Sequence, residues 1–311
     1  MNGTSSLAAS ITKSASKQTY YTVRFMVDRT LVDNAYRAYA YFRWVDDCLD
    51  TQPLPKSERN AFLLRQKSLL EGCYRGKEIQ DTCPEEQILV ELVQNDPERN
   101  NGLHSYLYNM MAVMAFDADR RGRLISQKEL KKYTQWLAIS VTEAMHYFIG
   151  HHSLSPRDDT RYLAVSAAHI AHMLRDTVAD AHDGYFNIPV EFLEANHITP
   201  WDIESDAYRA WVRTRVLLAR GYFETGRKYL KRVENLRCRL TGYAYTARFD
   251  WLLDTIEREE FCLRPAYDER KSIANGWRMG WDILATIFGV NKGSIPTRHV
   301  TDRTRRDSHE I

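Results

Sequence analysis

Two short stretches of the chain gather carboxylates at a spacing that suits a hard cation. In FRWVDDCLD, Asp46 and Asp50 stand four residues apart, Asp47 flanks them, and Arg43 lies one turn earlier. On a helix an i, i+4 pair projects from one face, so two carboxylates placed this way repel each other unless a cation sits between them. Mg²⁺ suits such a pair, because it takes one or two carboxylates, keeps several waters and completes its shell with phosphate oxygens. The same spacing recurs in LRDTVADAHDGYFNIP, where Asp176 and Asp180 follow Arg175. His169, His172, Asp176, Asp180 and Asp183 fall on one stripe of that helix. Two acidic faces opposed across a bundle would hold a cluster of divalent ions, and the cluster would hold a diphosphate.

The elements that must position these motifs are helical. Apolar residues recur at intervals of three and four over 31–50, 57–75, 105–122, 126–150, 160–182, 206–235 and 247–263. Ser126 with Glu129 three positions later forms a capping box, and Pro53, Pro84, Pro97, Pro156, Pro189 and Pro200 fall between the helical stretches. No alternating run is long enough for a sheet and no repeat is present, so the class is all-α. With 311 residues, 44% hydrophobic and 12% aromatic, the chain can bury one large core. Residues 1–15, rich in Ser, Ala and Thr, and the polar segment 296–311 read as disordered tails around a single domain at 16–295.

Several function classes are disfavoured by composition. A formal net charge of +2 gives no general attraction for nucleic acid. The five cysteines, Cys48, Cys73, Cys83, Cys238 and Cys262, are scattered and never spaced as CxxC, which argues against a disulfide framework or a zinc knot and for a reducing cytoplasm. No run approaches the roughly 18 apolar residues that cross a bilayer, so membrane contact would be peripheral.

The chemistry these groups suit is ionisation of an allylic diphosphate. Mg²⁺ would neutralise the leaving diphosphate, and arginine and lysine donors would stabilise charge as the carbon–oxygen bond breaks. The carbocation must then be kept from water, a task for the aromatic faces of Tyr39, Phe42, Tyr133, Trp136 and Phe148. Another class of site uses His146, the His182–Asp183 pair and Asp202 as a metallo-phosphohydrolase centre, and a non-catalytic assembly protein on the same fold is a third reading.

YAYFRWVDDCLD and LRDTVADAHDGYFNIP are similar to the two aspartate motifs of the squalene and phytoene synthases, which join two prenyl diphosphates head to head. SK at Ser16 and Lys17, ELKKY ending at Tyr133, and a basic stretch from Arg264 to Lys271 extend the resemblance over about residues 16 to 275. It implies an isoprenoid-synthase-type helical bundle with a central cavity and a cluster of two or three Mg²⁺ ions held by Asp46, Asp47, Asp50, Asp176, Asp180 and His172. Arg43, Arg175 and Tyr133 would be catalytic, and Lys17, Tyr39, Phe42, Trp136, Leu137, Val141, His169 and Asn187 would contact a C15 or C20 prenyl diphosphate. Release of an apolar product would suit contact with a membrane surface. NADPH use and the oligomeric state stay open.

The chain also departs from the family pattern. His169 and His172 stand where the family has glutamine and asparagine, and Tyr185 and Asn187 replace the arginine and tyrosine of its RIYLP-like segment. LAISVT puts Ile139 and Thr142 where a glycine-containing segment is expected. Those side chains would narrow the cavity, which opens a second outcome in which one prenyl diphosphate closes on itself, as in a terpene cyclase.

Overall fold

Capping side chains fix the starts of five helices among the described residues. The computed structural model describes residues 3–50, 55–96, 98 and 101–267. Ser126 begins α7 (Gln127–Phe148) by accepting from the Glu129 amide, while Glu129 reaches back to the Ser126 amide at 2.8 Å. Asn101, Ser205 and Asn235 cap α6 (Gly102–Arg120), α10 (Asp206–Lys231) and α11 (Leu236–Arg258) in the same way, and Ser16 caps α2 (Lys17–Met26). Pro84 occupies the first turn of α5 (Pro84–Gln94), where its missing N–H costs nothing. The remaining helices are α1 (Gly3–Ala15), α3 (Val32–Asp50), α4 (Lys56–Tyr74), α8 (Leu163–His182) and the short α9 (Val190–Asn196). Among the described residues the only extended pairing is an isolated bridge between Ile125 and Pro189, so the all-α reading holds.

The helices pack in a chain of neighbours. α3 lies against α1, α5 and α6; α6 packs on α7, α7 on α8, and α8 on both α10 and α11. One apolar core, with Tyr41, Val45, Ile88, Leu92 and Leu107 fully enclosed, joins α3, α5 and α6; a second, around Val212, Val216, Phe223, Leu253 and Ile256, joins α8, α10 and α11. α8 and α10 approach closely because Gly226 has no side chain: a Cβ there would lie 2.7 Å from the Ala164 backbone nitrogen. No helix among the described residues is long and apolar enough to cross a membrane.

The N-terminus corrects the sequence reading. Residues 3–15 form α1, whose Ser5, Ala8 and Thr12 are 3%, 0% and 0% exposed against the rest of the fold. Smallness, which suggested too little burial for order, is what lets α1 sit close on α3. Polar bonds then fix it. Ser5 Oγ accepts from Arg37, Thr12 Oγ1 bonds the Ala8 carbonyl, and Thr4 and Arg37 both bond Glu91 of α5. The expected tail at 296–311 and the end of the expected domain, from 268, lie outside the described residues. Because Ala8 has no room around it, Ala8→Leu should destabilise the fold by about 1–3 kcal/mol, read as a lower melting temperature; a tail would give no change.

Candidate active site

The burial pattern of α3 decides where its charges go. Ala38, Tyr41, Phe42, Val45 and Leu49 turn into the core, which leaves Arg43, Asp46, Asp47 and Asp50 on the opposite stripe. α8 behaves alike. Its residues 164–171 are all buried, as are Met173, Leu174, Thr177 and Ala181, so His172, Asp176 and Asp180 face outward in line. Two residues beyond the end of α8, Gly184, whose φ of 85° favours glycine, turns the chain back toward α7.

Arginines hold part of each acidic face. Arg43 bonds Asp46 at 3.2 Å and forms a close pair with Asp47. Arg175 bonds both oxygens of Asp176 at 2.7 Å and contacts His172 Nε2, which lies 3.5 Å from Asp176. Among the described residues no group of three His, Cys, Asp or Glu side chains is drawn together tightly enough to hold an ion. The donor set nevertheless fits a hard cation in kind, since it consists of carboxylates that burial and mutual repulsion leave short of positive charge. Burial and then Asp50 push Asp46 up to about 6, against Arg43. Burial, with Asp176 and Asp117 adding, raises Asp180 to about 6 against Asn187 and Arg120.

Asp117 and Arg120 of α6, which the motif reading did not single out, join the faces. Tyr133 donates to Asp117 Oδ2 at 3.0 Å and Arg120 bonds Asp117 Oδ1 at 2.7 Å. Arg120 also donates to Asn187 Oδ1 at 2.9 Å, and Asn187 donates to Asp180 Oδ2 at 2.6 Å. The guanidinium lies 4.9 Å from the ring centroids of both Tyr133 and Tyr185. Asp117 repels Asp46 and Asp180 alike, so the network couples the two motifs electrostatically. His169 sits beneath it, edge-on to Tyr133 at 4.9 Å, with Nε2 buried and unpartnered among the described residues. Burial, then His172, Arg120 and Arg215, lowers its pKa to about 3, so its imidazole is neutral.

An apolar cavity of about 380 Å³ lies between the helices that carry the acidic faces, within the usual range for a ligand pocket. Tyr39 and Val141 line it as anticipated, and so do Phe148, Thr142, Met110 and Tyr245. Phe42 instead belongs to the core, edge-on to Tyr106 at 5.4 Å. Trp136 and Leu137 pack with Tyr133 in a separate apolar cluster, because they follow it by only one turn of α7. Lys17 is exposed at the start of α2, one of the helices whose Thr19 and Val23 form the cavity wall. Asn187 acts through Asp180 and Arg120, not on the cavity wall. Thr142 lines the cavity with its hydroxyl unpartnered among the described residues, whereas Ile139 is not part of the wall.

The phosphohydrolase set does not assemble. His146 bonds Tyr229 near the N-terminal end of α8, and His182 is the last residue of that helix, about 30 Å along its axis. Asp202 is exposed and bonded to Thr199. Of the basic stretch expected near Arg264, Arg264 itself pairs with Glu259; residues 268–271 lie outside the described residues.

A family model for squalene/phytoene synthase matches residues 12–274. Among solved structures, squalene synthase HpnC from Alicyclobacillus acidocaldarius aligns with a TM-score of 0.66 at 20% identity, over 84% of this chain and 96% of that one. A dehydrosqualene synthase in complex with ligand also aligns with a TM-score of 0.66, at 16% identity, over 92% of this chain and 96% of that one. No curated protein sequence matches the chain.

The raised carboxyl groups have a cost for folding. Because the folded-state pKa of Asp46 and Asp180 exceeds 3.8, the fold keeps these protons longer than the unfolded chain, and stability falls as pH rises from 3.8 through about 6. Without divalent cation, Asp46→Asn should therefore raise the melting temperature at pH 7.5 and leave it unchanged at pH 3.5. The gain is at most about 1 kcal/mol, since solvent screens this partly exposed group.

Proposed function

The chain belongs to the squalene/phytoene synthase family, and from that premise we propose that it ionises a prenyl diphosphate with Mg²⁺ and condenses two such units head to head. The observation that carries this reading is the coupling of two acidic helix faces through Asp117 in a bundle that also encloses an apolar cavity. Asp46 and Asp50 on α3, and Asp176 and Asp180 on α8, are the residues that would hold Mg²⁺, with Asp47 and His172 at their edges. When bound, Mg²⁺ would neutralise the leaving diphosphate. Arg43 and Arg175 would exchange their carboxylate partners for diphosphate oxygens as the leaving group gains charge. Lys17, at the head of α2, would add a further donor.

The prenyl tail would lie in the cavity, where Tyr39, Phe148 and Tyr245 exclude water from the cation and offer ring faces to it. Tyr133 is held by Asp117 under the Arg120 guanidinium. Burial and then the Asp117 charge keep its hydroxyl protonated at neutral pH, so it serves as a donor beside the leaving group. One observation favours the alternative in which a single prenyl diphosphate cyclises: Val141 and Thr142 both occupy the cavity wall. A second long tail then has less room.

Incubation with C10, C15 and C20 diphosphates, with and without NADPH, and mass analysis of the extracted product separate these fates. Asp46→Asn or Asp176→Asn should lower diphosphate release by orders of magnitude with the fold intact; near-wild-type release would remove the two-face metal cluster. Thr142→Gly should shift product toward the larger head-to-head hydrocarbon. A wild type yielding only that hydrocarbon, two diphosphates consumed for each molecule, would eliminate the cyclase reading.

A further inference from the structure

The cavity has a direction, and its far end is built unlike its walls. Arg248 and Phe249 of α11 border a small pocket with His172 and Arg175, whereas Thr241, Gly242 and Tyr245 of the same helix line the main cavity. On α8 the corresponding points are Arg175 and Ala164, about 16 Å apart along the axis at 1.5 Å per residue. On α3 they are Asp46 and Ala38, about 12 Å apart. Three helices thus agree that the cavity runs away from the acidic faces, toward Arg161, Tyr229, Phe148 and Ile149.

At that end a polar lattice replaces hydrocarbon. Arg161 is paired through two bonds with Glu143, at 2.6 and 3.1 Å, and also donates to Ser155 Oγ and the Pro156 carbonyl. The Tyr229 hydroxyl lies 2.9 Å from Arg161, 3.0 Å from His146 Nε2 and 3.2 Å from the Pro156 carbonyl. His146 in turn faces the Cys238 sulfur at 3.5 Å, and Tyr162 donates to Glu143 at 2.9 Å. Both Tyr229 and Arg161 are almost wholly buried, at 1% and 4% exposure.

The donors at this end are engaged inside the protein. The Arg161 guanidinium is used on all three nitrogens, and the single Tyr229 proton has two acceptors waiting. Every nitrogen of the guanidinium thus already has a protein partner. What the lattice supplies is stiffness. A tail pressing on a side chain of an apolar wall meets a rotamer that can shift; pressing on Tyr229, it would have to break the buried hydroxyl's bonds to Arg161, His146 and the Pro156 carbonyl.

We propose that Tyr229, tethered by Arg161, His146 and the Pro156 carbonyl, is the stop that sets the longest prenyl tail the cavity accepts. This rests on the cavity holding a prenyl tail, as proposed above. The ring is the surface that the tail end meets, and the hydroxyl anchors it from behind. Tyr229→Phe keeps the ring and should keep most of the limit. Tyr229→Ala removes it and should admit a longer tail.

The test measures tail fit apart from turnover. Wild type, Tyr229→Phe, Tyr229→Leu and Tyr229→Ala are titrated with non-cleavable thiolodiphosphate analogues carrying C10, C15, C20 and C25 tails, with Mg²⁺ present, by calorimetry. The expected result is a rise of tenfold or more in the affinity ratio of the longest tail to the wild-type optimum for Tyr229→Ala, with Tyr229→Phe close to wild type. Tyr229→Leu, which fills more of the space, gives the same direction and stands in if the alanine variant does not fold. An unchanged ratio in a folded variant overturns the stop, as does a wild type with no preference among tails. Diphosphate release from the cleavable substrates is scored separately: tail-selective binding without release contradicts the proposed reaction and leaves the stop standing, and no binding of any tail overturns both.

Discussion

Like charge crowded on partly buried helix faces is the constraint on which the rest of this structure depends. Carboxylates on α3 and α8 are turned toward one region by the burial of the opposite faces of those helices, and each raises the energy of its neighbours. Such an arrangement persists only if something offsets the repulsion. Arg43 and Arg175 do so for Asp46, Asp47 and Asp176, and Arg120 does so at the centre, between Asp117 and Asn187. Burial first, and then the charge these arginines leave uncompensated, raises the pKa values of Asp46 and Asp180. That remainder is what a bound cation would offset.

The central network also explains how two motifs remote in sequence are coupled. α3 and α8 approach the region as separate helices, and α6 lies between α3 and α7 in the packing order. From α6, Asp117 bonds Tyr133 of α7, and Arg120 reaches Asn187 just beyond α8, which in turn orients Asp180. A shift of α6 would therefore move the second motif's carboxylate and the tyrosine hydroxyl together. Mutual orientation of this kind is what a site needs if donors are to be in place before charge develops.

Much of the fold was legible because periodicity reports burial directly. The seven long amphipathic stretches became α3, α4, α6, α7, α8, α10 and α11, and the capping box at Ser126 is present as read. α1 was missed because small polar residues carry little hydrophobic signal even when their size permits close packing. At the site, the i, i+4 carboxylates were visible as spacing alone. Asp117, Arg120, Glu143 and Arg161 were not, since their meaning lies in partners distant in sequence: Arg120 meets Asn187, and Arg161 meets Tyr229. Aromatic candidates show the same limit. Phe42 and Tyr39 lie on one helix within a turn of each other, yet one is core and the other cavity wall, a distinction that the facing helices decide.

The acidic faces and the Tyr229 end of the cavity manage buried polarity in opposite ways, and the contrast bears on what each can do. Near the acidic faces polar atoms are left short of partners: His169 Nε2 lacks a donor or acceptor among the described residues, and two carboxylates titrate near 6. Near Tyr229, Arg161 is saturated by Glu143, Ser155, Pro156 and Tyr229, while burial and then Arg161 lower the pKa of His146 to about 4, so that it accepts as a neutral ring. An unsatisfied buried group gains from any ligand that completes it, whereas a saturated one loses by being disturbed. With a cation bound at the carboxylates, attraction at one end and resistance at the other would orient a molecule with an anionic head and an apolar tail, without any group on the long walls having to recognise it.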